Sequence, residues 1–191
     1  MKMLSQNQNT KINSQDYLLV IEPSEEVISE VKRFKAKALN LIGPFRSFKS
    51  KAHITVNHYD DNASCFDDRT SVYRKMVNRI NSFHINICGF DYFEHQNTYT
   101  IYAKVELNPD IEEAFFKLRK IFGTDVRNTP HVTIARSLSF AQYKVLWDYF
   151  KNLKFECSFY TEEIVVLTSP AIVAYNAAME IKTEFKFKSA V

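Results

Sequence analysis

KAHITVNHY at residues 51–59 and TPHVTIAR at residues 129–136 write one short pattern twice: His, apolar, Thr, apolar. His53-Ile54-Thr55-Val56 and His131-Val132-Thr133-Ile134 begin 78 residues apart (131 minus 53). In an extended strand alternate side chains share a face. His53 and Thr55 therefore point one way while Ile54 and Val56 enter a packed layer, and the same holds for His131 and Thr133. By the same alternation Arg136, five residues after His131, falls on the opposite face unless the strand ends or twists there. His58, five residues after His53, also falls opposite, which argues against a zinc site built from that pair.

The surroundings of the two patterns repeat an order of elements. YLLVIEP (17–23) reads as a strand ending at Pro23, and Ser24 can cap a helix carrying Val27, Ile28, Val31, Phe34, Ala38 and Leu41 at helical spacing. After the first His-Thr strand comes a helical pattern from about Asp67 to Ile80, with Val72, Met76, Val77 and Ile80 on one face. FHINICGFDYF (83–93) then alternates as a half-buried strand. The second half follows suit. TYTIYAKVEL (98–107) opens it as a strand, and Asn108-Pro109 starts a helix carrying Ile111, Ala114, Phe115, Leu118 and Phe122. The His131 strand follows, then a helix capped near Ser139 with Leu146, Trp147, Phe150 and Leu153. FECSFYTEEIVVLT (155–168) and AAMEIKTEFKF (177–187) supply the remaining strand runs.

The fold class expected is α+β: a duplicated bilobal body of two small, mainly antiparallel sheets, with helices on the outer faces and a central cleft. Residues 1–15 are polar and aperiodic and read as a flexible tail. Residues 16–191 read as one domain. A composition of 46% apolar residues with sixteen Phe and ten Tyr supports a sizeable core and excludes a disordered chain. The net charge of +3 is too small to name a partner.

Three unpaired-looking cysteines, Cys65, Cys88 and Cys157, suit a reducing compartment as buried thiols. The chain has neither a signal-peptide pattern nor a membrane-length apolar run, so the expected setting is cytoplasmic, as a monomer. With glycine only at 43, 89 and 123, no glycine-rich phosphate loop is present.

If the polar faces of the two His-Thr strands meet across a cleft, two imidazoles and two hydroxyls gather in near-symmetric positions. That set suits phosphodiester cleavage. One imidazole takes the proton of the attacking oxygen and the other gives one to the departing oxygen, because a pKa near ~6.5 allows both forms near neutrality. The Thr hydroxyls can hold the non-bridging phosphate oxygens, and Arg136 can meet the developing charge. No metal or other cofactor is required by this scheme.

The paired motifs, with Pro130 before the second and Arg136 after it, resemble those of the two-histidine (2H) phosphoesterase superfamily, in its 2′-5′ RNA ligase-like and cyclic phosphodiesterase branch. FRSFKSKAHITV (45–56) resembles the approach to the first motif more loosely. The resemblance runs from Tyr17 to the end. It implies metal-independent action on 2′,3′-cyclic phosphates or 2′-5′ linkages in RNA ends or small nucleotides, with ligation as the reverse reaction, and catalysis by His53, Thr55, His131 and Thr133.

Three further readings remain open. Arg136 binds phosphate or makes a surface ion pair. Phe48 and Tyr175 stack on a base or belong to the core. The helix bearing Lys32, Arg33, Lys35 and Lys37 offers a polyanion surface, or simply a solvated face. His58, His84 and His95 are expected at the surface or at strand edges. The alternative function is a non-catalytic RNA- or nucleotide-binding module using the same cleft.

Overall fold

The computed structural model describes residues 14–123, 129–170 and 179–189. Among these residues eight strands and four helices follow in the order β1 (Ser14–Ile21), α1 (Glu25–Ile42), β2 (Ile54–Asn62), α2 (Ala63–Val77), β3 (Phe83–Glu94), β4 (Tyr99–Val105), α3 (Pro109–Ile121), β5 (His131–Leu138), α4 (Phe140–Phe150), β6 (Glu156–Thr161), β7 (Glu163–Pro170) and β8 (Glu180–Lys186). The caps explain the helix starts. Ser24, Asn108 and Ser139 side chains accept from backbone N–H groups three residues on, at 3.4, 3.0 and 3.3 Å. Glu25 and Glu26 favour the positive end of α1. Gly43, at φ +74°, ends that helix in a conformation that side-chain-bearing residues resist.

The expected pair of sheets is one antiparallel sheet in the order β6-β3-β4-β5-β2-β1-β7-β8. Its two four-stranded halves meet through the single register pair Ile54–Val132. The sheet curls until its ends approach each other. Ser82 N–H donates to the Lys188 carbonyl at 2.9 Å, Lys188 N–H to that of Ile80 at 2.8 Å, and the Phe83 and Phe187 rings lie 5.6 Å apart.

The halves are not the contiguous sequence units that the repeated order suggests. FECSFYTEEIVVLT divides at Glu162 into β6, which pairs with β3, and β7, which pairs with β1 at the far side of the sheet. Helices cross over as well. α1, between β1 and β2 in sequence, packs on β5 and α4, while α3, between β4 and β5, packs on β2 and α2. Each half is therefore covered by an element from the other, and one continuous core results, reaching from Phe66 and Tyr73 to Phe34 and Phe150.

Several side chains lie differently from the pattern-based expectation. In α2 the buried residues are Phe66, Tyr73 and Val77, whereas Val72 and Met76 are exposed. Its rings fill the curl against Tyr17, Phe122 and Phe185, so aromatic packing sets its rotation. In α1, Leu41 is exposed and Lys35 is buried at 3% exposure, among the least exposed charged groups described. None of the three cysteines is buried: Cys88 is exposed, and Cys65 and Cys157 are half-buried free thiols. Strand β1 begins at Ser14, so residues 14 and 15 pair with β2 rather than joining a tail. No helix among the described residues is long and apolar enough to cross a membrane.

Candidate active site

Antiparallel pairing of Ile54 with Val132 carries its own geometry. One step to either side sets His53 opposite Thr133 and Thr55 opposite His131. Ile54, Val56, Val132 and Ile134 are buried at 0–1% exposure toward the helices, while the two His and two Thr are half-buried on the other face. The structure thus brings the four expected catalytic residues together across the seam, each imidazole facing the other half's hydroxyl residue.

Both imidazoles are hooked in the same way. Nδ1 of His53 lies 2.9 Å from the Lys51 carbonyl oxygen, and Nδ1 of His131 lies 2.7 Å from that of Thr129. A carbonyl only accepts, so Nδ1 carries the proton in each ring and Nε2 is left to exchange protons. Burial lowers the pKa of both imidazoles below the ordinary value, opposed in part by these carbonyl bonds. His53 is lowered further by the positive charge of Lys35, His131 and Arg136. His131 has rings for neighbours instead. Phe93 stands edge-on at 5.0 Å, Tyr102 lies at 5.0 Å, and these two stack on each other at 4.2 Å. Desolvation and the Asp91 carboxylate push the Tyr102 hydroxyl up to about 12, so it remains a neutral donor.

Arg136 reaches the cleft face by an irregularity that simple alternation does not include. Tyr102 pairs with Thr133 but Ile101 pairs with Ala135, leaving one extra residue on β5. Ile134 and Ala135 consequently both turn inward at 0% exposure, and Arg136 comes up on the side of His131 and Thr133. Its backbone N–H donates to Ser47 Oγ at 3.1 Å.

The first motif has the equivalent bulge. Leu19 pairs with Asn57 and Val20 with Thr55, so Val56 and Asn57 are both buried. His58 therefore shares a face with His53, contrary to simple alternation, and its Nε2 contacts Asp16 Oδ1 at 2.6 Å. Among the described residues no group of three or more His, Cys, Asp or Glu is arranged to hold a metal ion.

Phe48 lies half-buried in the 43–52 connection, its ring 5.8 Å from Phe45, beside the Ser47 that bonds to β5. Tyr175 lies outside the described residues. His84 packs on Tyr160 at the β3–β6 pairing, and His95 bonds to Thr100 with its ring 6.4 Å from that of Phe93. Sequence reasoning missed Phe93 and Tyr102, whose place beside His131 depends on pairings among β3, β4 and β5. It also missed the burial of Lys35. The position of Lys35 within the otherwise apolar stripe of α1, between Val31 and Ala38, is the signal that was present.

A family model described as the 2′-5′ RNA ligase superfamily matches residues 22–170, which include both motifs and all the elements from α1 to β7. The chain belongs to that superfamily, the two-histidine phosphoesterases. Its fold is similar to crystal structures of E. coli LigT in apo form (TM-score 0.68, 13% identity, covering 92% of this chain and 98% of that one) and of LigT complexed with 3′-AMP (0.67, 13%, 91% and 98%). It is similar also to TT0787 of Thermus thermophilus (0.66, 16%, 91% and 98%). No curated protein matches the sequence significantly. Membership supports phosphoesterase or RNA ligase-like activity for this superfamily member.

Proposed function

We propose that this member is a metal-independent phosphodiesterase acting on 2′,3′-cyclic phosphates or 2′-5′ linkages of RNA ends or small nucleotides. The observation that carries the reading is the antiparallel pairing at Ile54 and Val132, which sets two Nδ1-anchored imidazoles across one seam. For a cyclic phosphate, one imidazole Nε2 accepts a proton from water as its oxygen bonds to phosphorus. The other donates its proton to the ribose oxygen as the phosphorus–oxygen bond breaks. The products are a phosphomonoester and a free hydroxyl, and proton exchange with solvent resets the pair. Thr55 and Thr133 hold the non-bridging oxygens, and Arg136 meets the charge of the five-coordinate phosphorus. With the 5′-hydroxyl of a second strand attacking the cyclic phosphate in place of water, and the 3′ ribose oxygen leaving with the proton of the other imidazole, the same two proton transfers form a 2′-5′ bond. The Phe93–Tyr102 stack beside His131 suits a base or ribose face, and the LigT complexed with 3′-AMP is a nucleotide complex of a protein with this fold.

Turnover of a short RNA ending in a 2′,3′-cyclic phosphate, in EDTA, with the product phosphate position identified, tests the reading. Ring opening by wild type that His53→Ala and His131→Ala each reduce by about 10²-fold or more supports it. Absence of turnover by folded wild type on both cyclic and 2′-5′ substrates, with nucleotide binding retained, would replace it with the binding-module alternative.

A further inference from the structure

Lys35 has an unusual setting for its charge. Its ammonium is buried beneath the 43–52 connection and donates to the Ser47 carbonyl at 3.0 Å, the Ser50 carbonyl at 2.7 Å and Ser50 Oγ at 2.9 Å. All three acceptors are neutral, and none of the ion pairs among the described residues includes Lys35. Buried ammonium groups are ordinarily matched by a carboxylate, because desolvation makes an unmatched charge costly. The groups near enough to couple to it are cationic or ionisable. Arg136 of β5 is one, and His53, at the entrance to β2, senses Lys35, His131 and Arg136 together.

The acceptors of Lys35 are also the stitch between this connection and the motif strand. Ser47 Oγ donates to the Ile134 carbonyl at 3.3 Å and accepts from Arg136 N–H at 3.1 Å, at the bulge that turns Arg136 toward the cleft. Lys35 is therefore one hydrogen-bonded step from the backbone that aims Arg136, and it lies behind His53 without being part of the cleft surface.

We propose that Lys35 is a positioning residue of the phosphate site: it clamps the 43–52 connection onto the β5 bulge and holds, behind His53 and Arg136, a positive charge that an anion in the cleft completes. This rests on the phosphoesterase reading for the identity of the anion, but not for the electrostatics. The charge makes the seam asymmetric. His53 stands among three cationic or ionisable groups and His131 against two rings, which favours the neutral imidazole, and so the base, at His53. Lys51, at this end, pairs with Glu22 at 2.7 Å, and the 43–52 connection also carries Arg46 and Lys49. Burial holds the Lys35 ammonium at about 8, with Arg136 adding to the effect, so it remains mostly charged at neutral pH.

The experiment follows the imidazole carbon resonances of His53 and His131 through a pH titration without substrate, and measures binding of inorganic sulfate, whose charge is constant across the range. In Lys35→Met the His53 titration is expected to move up toward the ordinary ~6.5, with His131 moving less, and sulfate binding to weaken roughly tenfold. Lys35→Arg is expected to restore both. An unmoved His53 titration in folded Lys35→Met overturns the proposal, whatever the enzyme's substrate proves to be. If Lys35→Met does not fold, the wild-type Lys35 side-chain resonance decides. Titration near 8 accompanied by weakening sulfate affinity upholds the proposal, and titration at the ordinary ~10.4 with unchanged affinity overturns it.

Discussion

Ile54 faces Val132 at the one register pair joining the two halves of the sheet, and the paired His-Thr arrangement follows from that contact. A one-residue slip would turn one motif's polar face into the helices, so the site and the core specify the same register.

In the proposed mechanism the two imidazoles act in one event, so their losses should not add. His53→Ala and His131→Ala are each expected to lower kcat by about 10²–10⁴-fold, and the double variant to fall little further. Single-turnover rates on a cyclic-phosphate RNA check this, and a double loss equal to the product of the single losses would show that the residues act independently.

Thr55→Val and Thr133→Val preserve shape while removing a hydroxyl that, in the proposed mechanism, holds a phosphate oxygen. Loss of one such bond is worth about 1.5–3 kcal/mol, or roughly 10–150-fold in kcat/KM. Arg136→Ala should cost a comparable factor, with Arg136→Lys restoring part of it, since an ammonium keeps the charge without the bidentate fork. An unchanged kcat/KM in Arg136→Ala would assign that side chain to the surface instead.

The pH profile has a definite sign. Both imidazoles are lowered by burial, and His53 also by Lys35, His131 and Arg136. The acid limb of kcat/KM, where the base gains its proton, and the alkaline limb, where the acid loses it, should therefore both lie on the acid side of an ordinary imidazole at ~6.5. An anionic substrate favours both imidazoliums, so the kcat profile should sit at higher pH than that of kcat/KM. Rates across pH 4–9 under both regimes check the order of the two bells.

Phe93→Ala should admit water to His131 and raise its titration toward the ordinary value, leaving that of His53 nearly in place. Imidazole resonances in the same pH series read this directly. The aromatic contact at 5.0 Å is the only one of the two ring contacts on His131 that this variant removes directly.

Lys35 also predicts a stability signature. Its ammonium is lowered from 10.5 to about 8 in the folded chain, so between those values the unfolded chain binds the additional proton and stability rises with pH. Relative to Lys35→Met, wild type should gain about 3 kcal/mol over that interval, since each pKa unit is worth ~1.4 kcal/mol. Urea unfolding of both proteins at pH 7.5 and 10.5 gives the difference, in which the tyrosine contributions cancel.

The linear sequence determined the element order as far as α4, the capped starts of three helices and the two His-Thr strands, because these depend on residue spacing and local hydrogen bonds. Val27, Ile28, Val31, Phe34 and Ala38 in α1, and Ile111, Ala114, Phe115, Leu118 and Phe122 around α3, are buried as their periodicity requires. Only the tertiary structure decided what depends on partners. The exchange of β3 and β7 between halves reflects strand pairing over long separations. The bulges at Val56-Asn57 and Ile134-Ala135 arise from the register of neighbouring strands, and they turn His58 and Arg136 to the cleft face despite their odd offsets. Burial of Lys35 required the 43–52 connection to supply three oxygen acceptors around a charge that helix periodicity alone assigns no mate. Spacing along a chain fixes which face a side chain takes within a regular element; a bulge, a crossover or a buried ammonium exists only once another segment has arrived.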